Sequence, residues 1–98
     1  MNPLDPFTHM ITFSNESGES KEHAVKIVGA ENERDGVQAE YRYLNQQFGE
    51  QGKTWILEMQ SLIFDKDSGR VYDRMDIEFH DRKVKTIYFD ITEFFQNF

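Results

Sequence analysis

Alternation of apolar and polar residues is the most informative pattern in this chain, and it appears in five segments. Between Phe7 and Phe13, residues Phe7, His9, Ile11 and Phe13 alternate with Thr8, Met10 and Thr12, the period of a half-buried strand. A second strand is expected from His23 to Val28, where Val25 and Ile27 oppose Ala24 and Val28 and Gly29 ends the run. The polar stretch Ser14 to Ser20 between them reads as a turn or mobile loop, so the two strands can form a hairpin.

The later segments are longer. Thr54 to Phe64 carries Trp55, Leu57, Met59 and Ile63 on one face and Ile56, Leu62 and Phe64 on the other, which predicts a central strand. Asp65 to Gly69 supplies the side-chain acceptors and the glycine of a tight reversal. Arg70 to His80 follows, with Val71, Met75, Ile77 and Phe79 facing one way and Tyr72, Arg74, Asp76, Glu78 and His80 the other; Asp73 interrupts the apolar face. After a turn at Asp81 to Lys83, Val84 to Ile91 sets Ile87, Phe89 and Ile91 against Thr86, Tyr88 and Asp90.

One segment has helical spacing instead. Val37, Tyr41, Leu44 and Phe48 recur at intervals of four, three and four, with Gln38, Glu40, Arg42, Asn45 and Gln46 on the other sides. Asp35 is the expected N-cap, Asn32 the alternative one turn earlier, and Gly49 the expected stop. Asp90 and Glu93 ahead of Phe94 and Phe95 resemble a capping box and predict a short helix ending at Phe98. The expected fold is α+β: an antiparallel sheet of about five strands in the order ββαβββ, packed against one main amphipathic helix, with a short C-terminal helix.

Length and composition narrow the reading. Ninety-eight residues make one domain, 1–98, and Met1 to Pro6, with two prolines and no periodicity, reads as a loosely ordered leader. Nine Phe, four Tyr and one Trp supply a core despite an apolar fraction of 38%. The absence of cysteine removes disulfides, thiolate metal sites and thiol nucleophiles. Neither a signal-peptide pattern nor a membrane-length apolar run is visible, so a cytoplasmic protein with no membrane partner is expected, and Asn15-Glu16-Ser17 reads as an accidental sequon. A net charge of -7 repels phosphate backbones and favours a basic protein partner over nucleic acid.

Candidate chemistry is sparse. Asp65, Asp67 and Asp73 around Gly69 outline a calcium loop, but Gly69 stands where a ligand belongs, Arg70 where the turn glycine belongs and Asp76 in place of the closing Glu, so a plain turn fits better. Asp76, Glu78 and His80 share one strand face, spaced too widely to chelate one ion without help from a neighbour. Val25 to Ala30 ahead of the helix lacks the glycine spacing of a phosphate loop, and Glu31, Glu33 and Asp35 oppose a phosphate there. No metal or cofactor is expected, and catalysis is not favoured.

Two surfaces and one internal position remain. Asp65, Asp67, Tyr72, Asp76, Glu78, His80 and Asp81 form a candidate binding surface on the strand meander. Phe94, Phe95 and Phe98 either fold onto the sheet or dock on another chain, with core packing favoured. Asp73, with Trp55 and Tyr41, marks a possible buried polar site between helix and sheet. The leading expectation is a non-catalytic acidic protein-binding module, inhibitor-like or immunity-like or an accessory subunit. The alternatives are a homo-oligomeric structural module paired through an edge strand or the C-terminal rings, and a small-ligand domain or minor enzyme using the site between helix and sheet.

Overall fold

The computed structural model describes residues 10–95. Within them the chain runs β1 (Thr12–Phe13), β2 (Val25–Val28), α1 (Glu33–Phe48), β3 (Trp55–Phe64), β4 (Val71–Phe79) and β5 (Val84–Asp90). The expected order ββαβββ is present. The expected leader, the first half of the first strand and Phe98 lie outside the described residues.

The five strands form one sheet in the order β1-β2-β5-β4-β3. This sheet is mixed rather than purely antiparallel, because β2 pairs with β5 in parallel, Val25 opposite Phe89 and Lys26 opposite Asp90. The cause is the helical connection: α1 carries the chain from β2 to the far edge, and the β3–β4–β5 meander returns to dock its last strand on β2. Alternation of side chains is the same in parallel and antiparallel pairs, so the pattern that predicted the strands is blind to this difference.

β3 occupies an edge, not the expected centre. Its apolar groups fall on both faces because of a bulge between Leu57 and Met59, which makes Glu58 the extra residue. Before the bulge Trp55 and Leu57 pair with Phe79 and Ile77; after it Gln60, Leu62 and Phe64 pair with Met75, Asp73 and Val71. Directly opposed residues share a face, so Trp55, Leu57, Leu62 and Phe64 all lie on the helix side, and Ile56, Met59 and Ile63 lie on the other.

Helix α1 begins one turn earlier than Asp35 would place it. Asn32 is the N-cap, its Oδ1 accepting from the Asp35 amide at 2.8 Å, while Gly49 ends the helix at φ 97° as expected. The Trp55 indole donates to the Gly49 carbonyl at 2.6 Å and fixes the helix end to the start of β3. The buried stripe is Gly36, Ala39, Glu40 and Leu44; Val37 is exposed, and Tyr41 and Phe48 are half-buried. The helix is thus rotated from the expected Val37, Tyr41, Leu44 and Phe48 face. Gly36 explains the rotation, since the Phe94 ring sits where a side chain at residue 36 would be.

Among the described residues the short C-terminal helix is not seen; residues 92–94 make a turn in which the Phe94 and Phe95 amides donate to the Ile91 carbonyl. Its intended capping groups are engaged elsewhere. Asp90 accepts from Arg70 Nε at 2.6 Å and from the Thr92 amide and hydroxyl, and Glu93 accepts from the Gly29 amide at 2.9 Å. Burial raises the Asp90 pKa, but Arg70 and the Thr92 hydrogen bonds outweigh it, so the net shift is downward.

Phe94 in its seat is 2% exposed, on the favoured core side of the sequence reading. Gly36→Ala is expected to destabilise the fold by about 1–3 kcal/mol although alanine is the better helix former, because the added methyl would overlap the buried Phe94 ring, which must shift from its seat. In a Phe94→Leu background the same change is expected to cost less or to stabilise. Chemical denaturation of the four variants in this cycle checks the coupling.

Candidate functional site

The Asp73 carboxylate, the misfit in the apolar alternation of β4, is buried at 4% exposure on the helix side of the sheet. Its Oδ2 accepts from Gln60 Nε2 at 2.6 Å, across the β3–β4 pairing. The group above it was not legible as a site residue: Glu40, placed by helical spacing on a polar side, is 0% exposed because of the rotation imposed at Gly36. The signal that would have found it is Gly36 itself, whose missing side chain makes the 36-40-44 stripe the closest approach to the sheet.

Apart from the Asp73 carboxyl, no donor among the described residues reaches either Glu40 oxygen. Glu40 faces the Asp73 carboxyl and hydrogen-bonds to it, a contact that requires a proton on the pair. Burial, then this hydrogen bond, then the charge of Asp73 push the Glu40 pKa from its ordinary 4.5 up to about 10. The Tyr41 phenol is also raised, first by burial and then by the two carboxyls.

A cavity of about 340 Å³ opens onto this pair. Glu40, Asp73 and Gln60 supply its polar lining, with Glu33 on the helix; Val37, Leu62, Ile91, Phe94 and Phe95 supply the apolar remainder. Of the expected internal trio, only Asp73 reaches it. Tyr41 and Trp55 stack on each other instead, ring centroids 6.4 Å apart and planes 15° apart.

The meander surface is divided by the length of its strands. Asp65 and Asp67 lie at one end, where Asp65 Oδ1 accepts from the Asp67 amide at 3.0 Å and shapes the expected hairpin turn. At the other end Glu78 and His80 line a shallow depression of about 250 Å³ with Lys53, Arg82 and Trp55, and Asp81 Oδ1 accepts from the Lys83 amide at 3.0 Å. Asp76 lies between them, its Oδ1 accepting from the Thr86 hydroxyl at 2.6 Å and from Arg74 Nε at 3.3 Å. Tyr72 is buried. These residues therefore do not converge on one point, and no group of three or more His, Cys, Asp and Glu among the described residues is arranged to hold a metal.

The outer edge of β3 is a second feature. Its start is covered by the Gln51 to Gly52 turn, where Gln51 bridges to Trp55 and the Gly52 amide donates to the Trp55 carbonyl at 2.7 Å. From Ile56 to Phe64 no described strand pairs with it. Ile56, Met59, Leu62 and Phe64 are 51%, 58%, 47% and 55% exposed.

Glu40 binds a proton more tightly in the folded than in the unfolded chain. Its contribution is therefore fully present below about pH 4.5 and is lost as pH rises toward about 10. Unfolding free energy is expected to fall between about pH 6 and about pH 8.5, by up to about 1.4 kcal/mol per pH unit. Glu40→Gln should flatten this dependence and be the more stable protein at the upper pH; denaturant titrations at the two pH values check it. Comparison with protein-family models, with curated proteins and with solved structures finds no match, so the functional reading rests on these sites themselves.

Proposed function

We propose that the chain is a non-catalytic protein-binding module whose docking element is the open edge of β3, and that its partner presents an extended apolar segment carrying basic residues. The observation that supports this most directly is the edge itself. An uncovered strand edge offers unpaired backbone donors and acceptors, and folded proteins usually protect such edges with lysine, proline or short length. β3 is ten residues long and contains neither lysine nor proline; its one charged residue, Glu58, sits in the bulge. The free stretch spans about 30 Å at the rise of a strand, enough to align a partner segment by backbone pairing while Ile56 and Met59 contact alternate side chains.

The net charge of -7 supports a basic partner over a second copy of the same chain, since two equal negative charges repel on approach. The charge acts over the whole molecule and does not require the meander carboxylates to form a patch.

A suitable probe is the acetylated peptide Val-Lys-Val-Lys-Val-Lys-Val, with a matched peptide carrying Glu in place of Lys. Amide NMR shifts are expected along residues 56–64 with the basic peptide, with affinity about tenfold weaker or worse for the acidic one. Met59→Lys should weaken the basic peptide without unfolding the domain, since Met59 is exposed on the face away from the helix. Shifts located elsewhere, or none with either peptide, would overturn the reading. Light scattering that shows a dimer, abolished by Met59→Lys, would replace the basic partner with a second copy.

A further inference from the structure

The carboxyl pair and its cavity lie on the helix side of the sheet, where β3 contributes only Gln60 and Leu62, and form an incomplete electrostatic site. Glu40 and Asp73 are both more than nine-tenths buried, and apart from the proton shared with Asp73 no donor among the described residues reaches a Glu40 oxygen. Among the described residues no lysine, arginine or histidine lines the cavity. Buried carboxyls normally acquire a cationic or amide partner, and the one amide here, from Gln60, is taken by Asp73. Apart from Glu33, the rest of the wall is apolar.

We propose that this cavity binds a small organic ammonium ion, a primary amine on an aliphatic or aromatic body. Its N–H donors would satisfy Glu40 and Asp73 while its body lies along Val37, Leu62 and Phe95. An ammonium group brings three donors and a positive charge to a site that lacks both. Hard metal ions suit the site less well, since they take six to eight oxygen ligands and the cavity offers two carboxyls, one exposed amide and the Glu33 side chain beside hydrocarbon. A quaternary ammonium has no N–H donor to offer. A volume of about 340 Å³ suits a small ligand.

Binding is coupled to a proton. In the free protein the pair shares one; the incoming R–NH3+ takes its place, and the displaced H+ leaves to solvent, with no other bond made or broken. Among the described residues the groups facing Glu40 are Asp73 from β4 and Gln60 from β3, with Glu33 and Tyr41 on its own helix, and the C-terminal turn presents Phe94 and Phe95. Nothing among these supplies a compensating positive charge. Apparent affinity therefore rises with pH, by up to about tenfold per unit, until the amine itself loses its proton.

The test is an NMR titration of the full chain with 2-phenylethylammonium chloride, with 2-phenylethanol as the neutral match and magnesium and calcium chlorides as further arms. Saturable shifts are expected at Val37, Glu40, Leu62, Asp73 and Phe95, with affinity about tenfold tighter at pH 8 than at pH 7 and the alcohol about tenfold weaker or worse. Glu40→Gln should weaken binding at pH 8 and remove the pH dependence while the spectrum stays that of a folded protein; Asp73→Asn gives a second reading of the same site. Equal binding of amine and alcohol, no saturation with the amine, the same shifts with either metal salt, or undiminished binding by both variants would overturn the proposal. The two sites share Gln60 and Leu62 of β3, but Val37, Glu40 and Phe95 lie off that strand and report the amine alone, while Ile56 and Met59 report the peptide alone, so the two proposals fail separately.

Discussion

The Phe94 ring against Gly36 is the contact on which the remaining arrangement depends. It brings the helix backbone close to the C-terminal turn and selects which side of α1 meets the sheet. Once Gly36 is innermost, the positions four and eight residues later must follow, so Glu40 is carried over Asp73 and Leu44 into the core. Val37, which the spacing of apolar residues would have buried, is left at the mouth of a cavity. A packing requirement at one glycine thus creates the polar site.

That site has a cost that packing alone does not offset. Two carboxyls in contact, away from water, can be kept together only by sharing a proton, and a fold selected for stability alone has simple replacements available at either position. A buried carboxyl pair beside a cavity is the arrangement on which the proposed ammonium site rests. The β3 edge raises the same question in backbone terms. Its bulge at Glu58 adds twist, which limits indiscriminate pairing, yet Ile56, Met59, Leu62 and Phe64 remain half exposed along its length.

Much of the framework was legible because it is written in local chemistry. Alternation located Val71–Phe79 and Val84–Asp90 almost to the residue, Asp65 and Gly69 marked the turn from β3 into β4, and Gly49 marked the helix end. Asp73 stood out because it breaks a period-two pattern, a signal that survives without any knowledge of its neighbours. What was not legible depends on contacts between distant segments. The parallel β2–β5 pairing leaves no trace in alternation; the bulge at Glu58 exchanges the faces of Met59 and Leu62; and the expected capping box at Asp90 and Glu93 lost its members to Arg70, Thr92 and Gly29. Glu40 was hidden for the same reason, since a glutamate on a helix reads as solvent-facing until the helix rotation is known.

The most direct test of the central claim is the carbon-13 shift of the Glu40 side-chain carboxyl followed across pH in the intact protein. The shared-proton site predicts a carboxyl still protonated at neutral pH, with a midpoint pushed up to about 10 by burial and by Asp73. A midpoint in the ordinary carboxylate range, near 4.5, would show that water or another donor already satisfies Glu40 and would contradict the account.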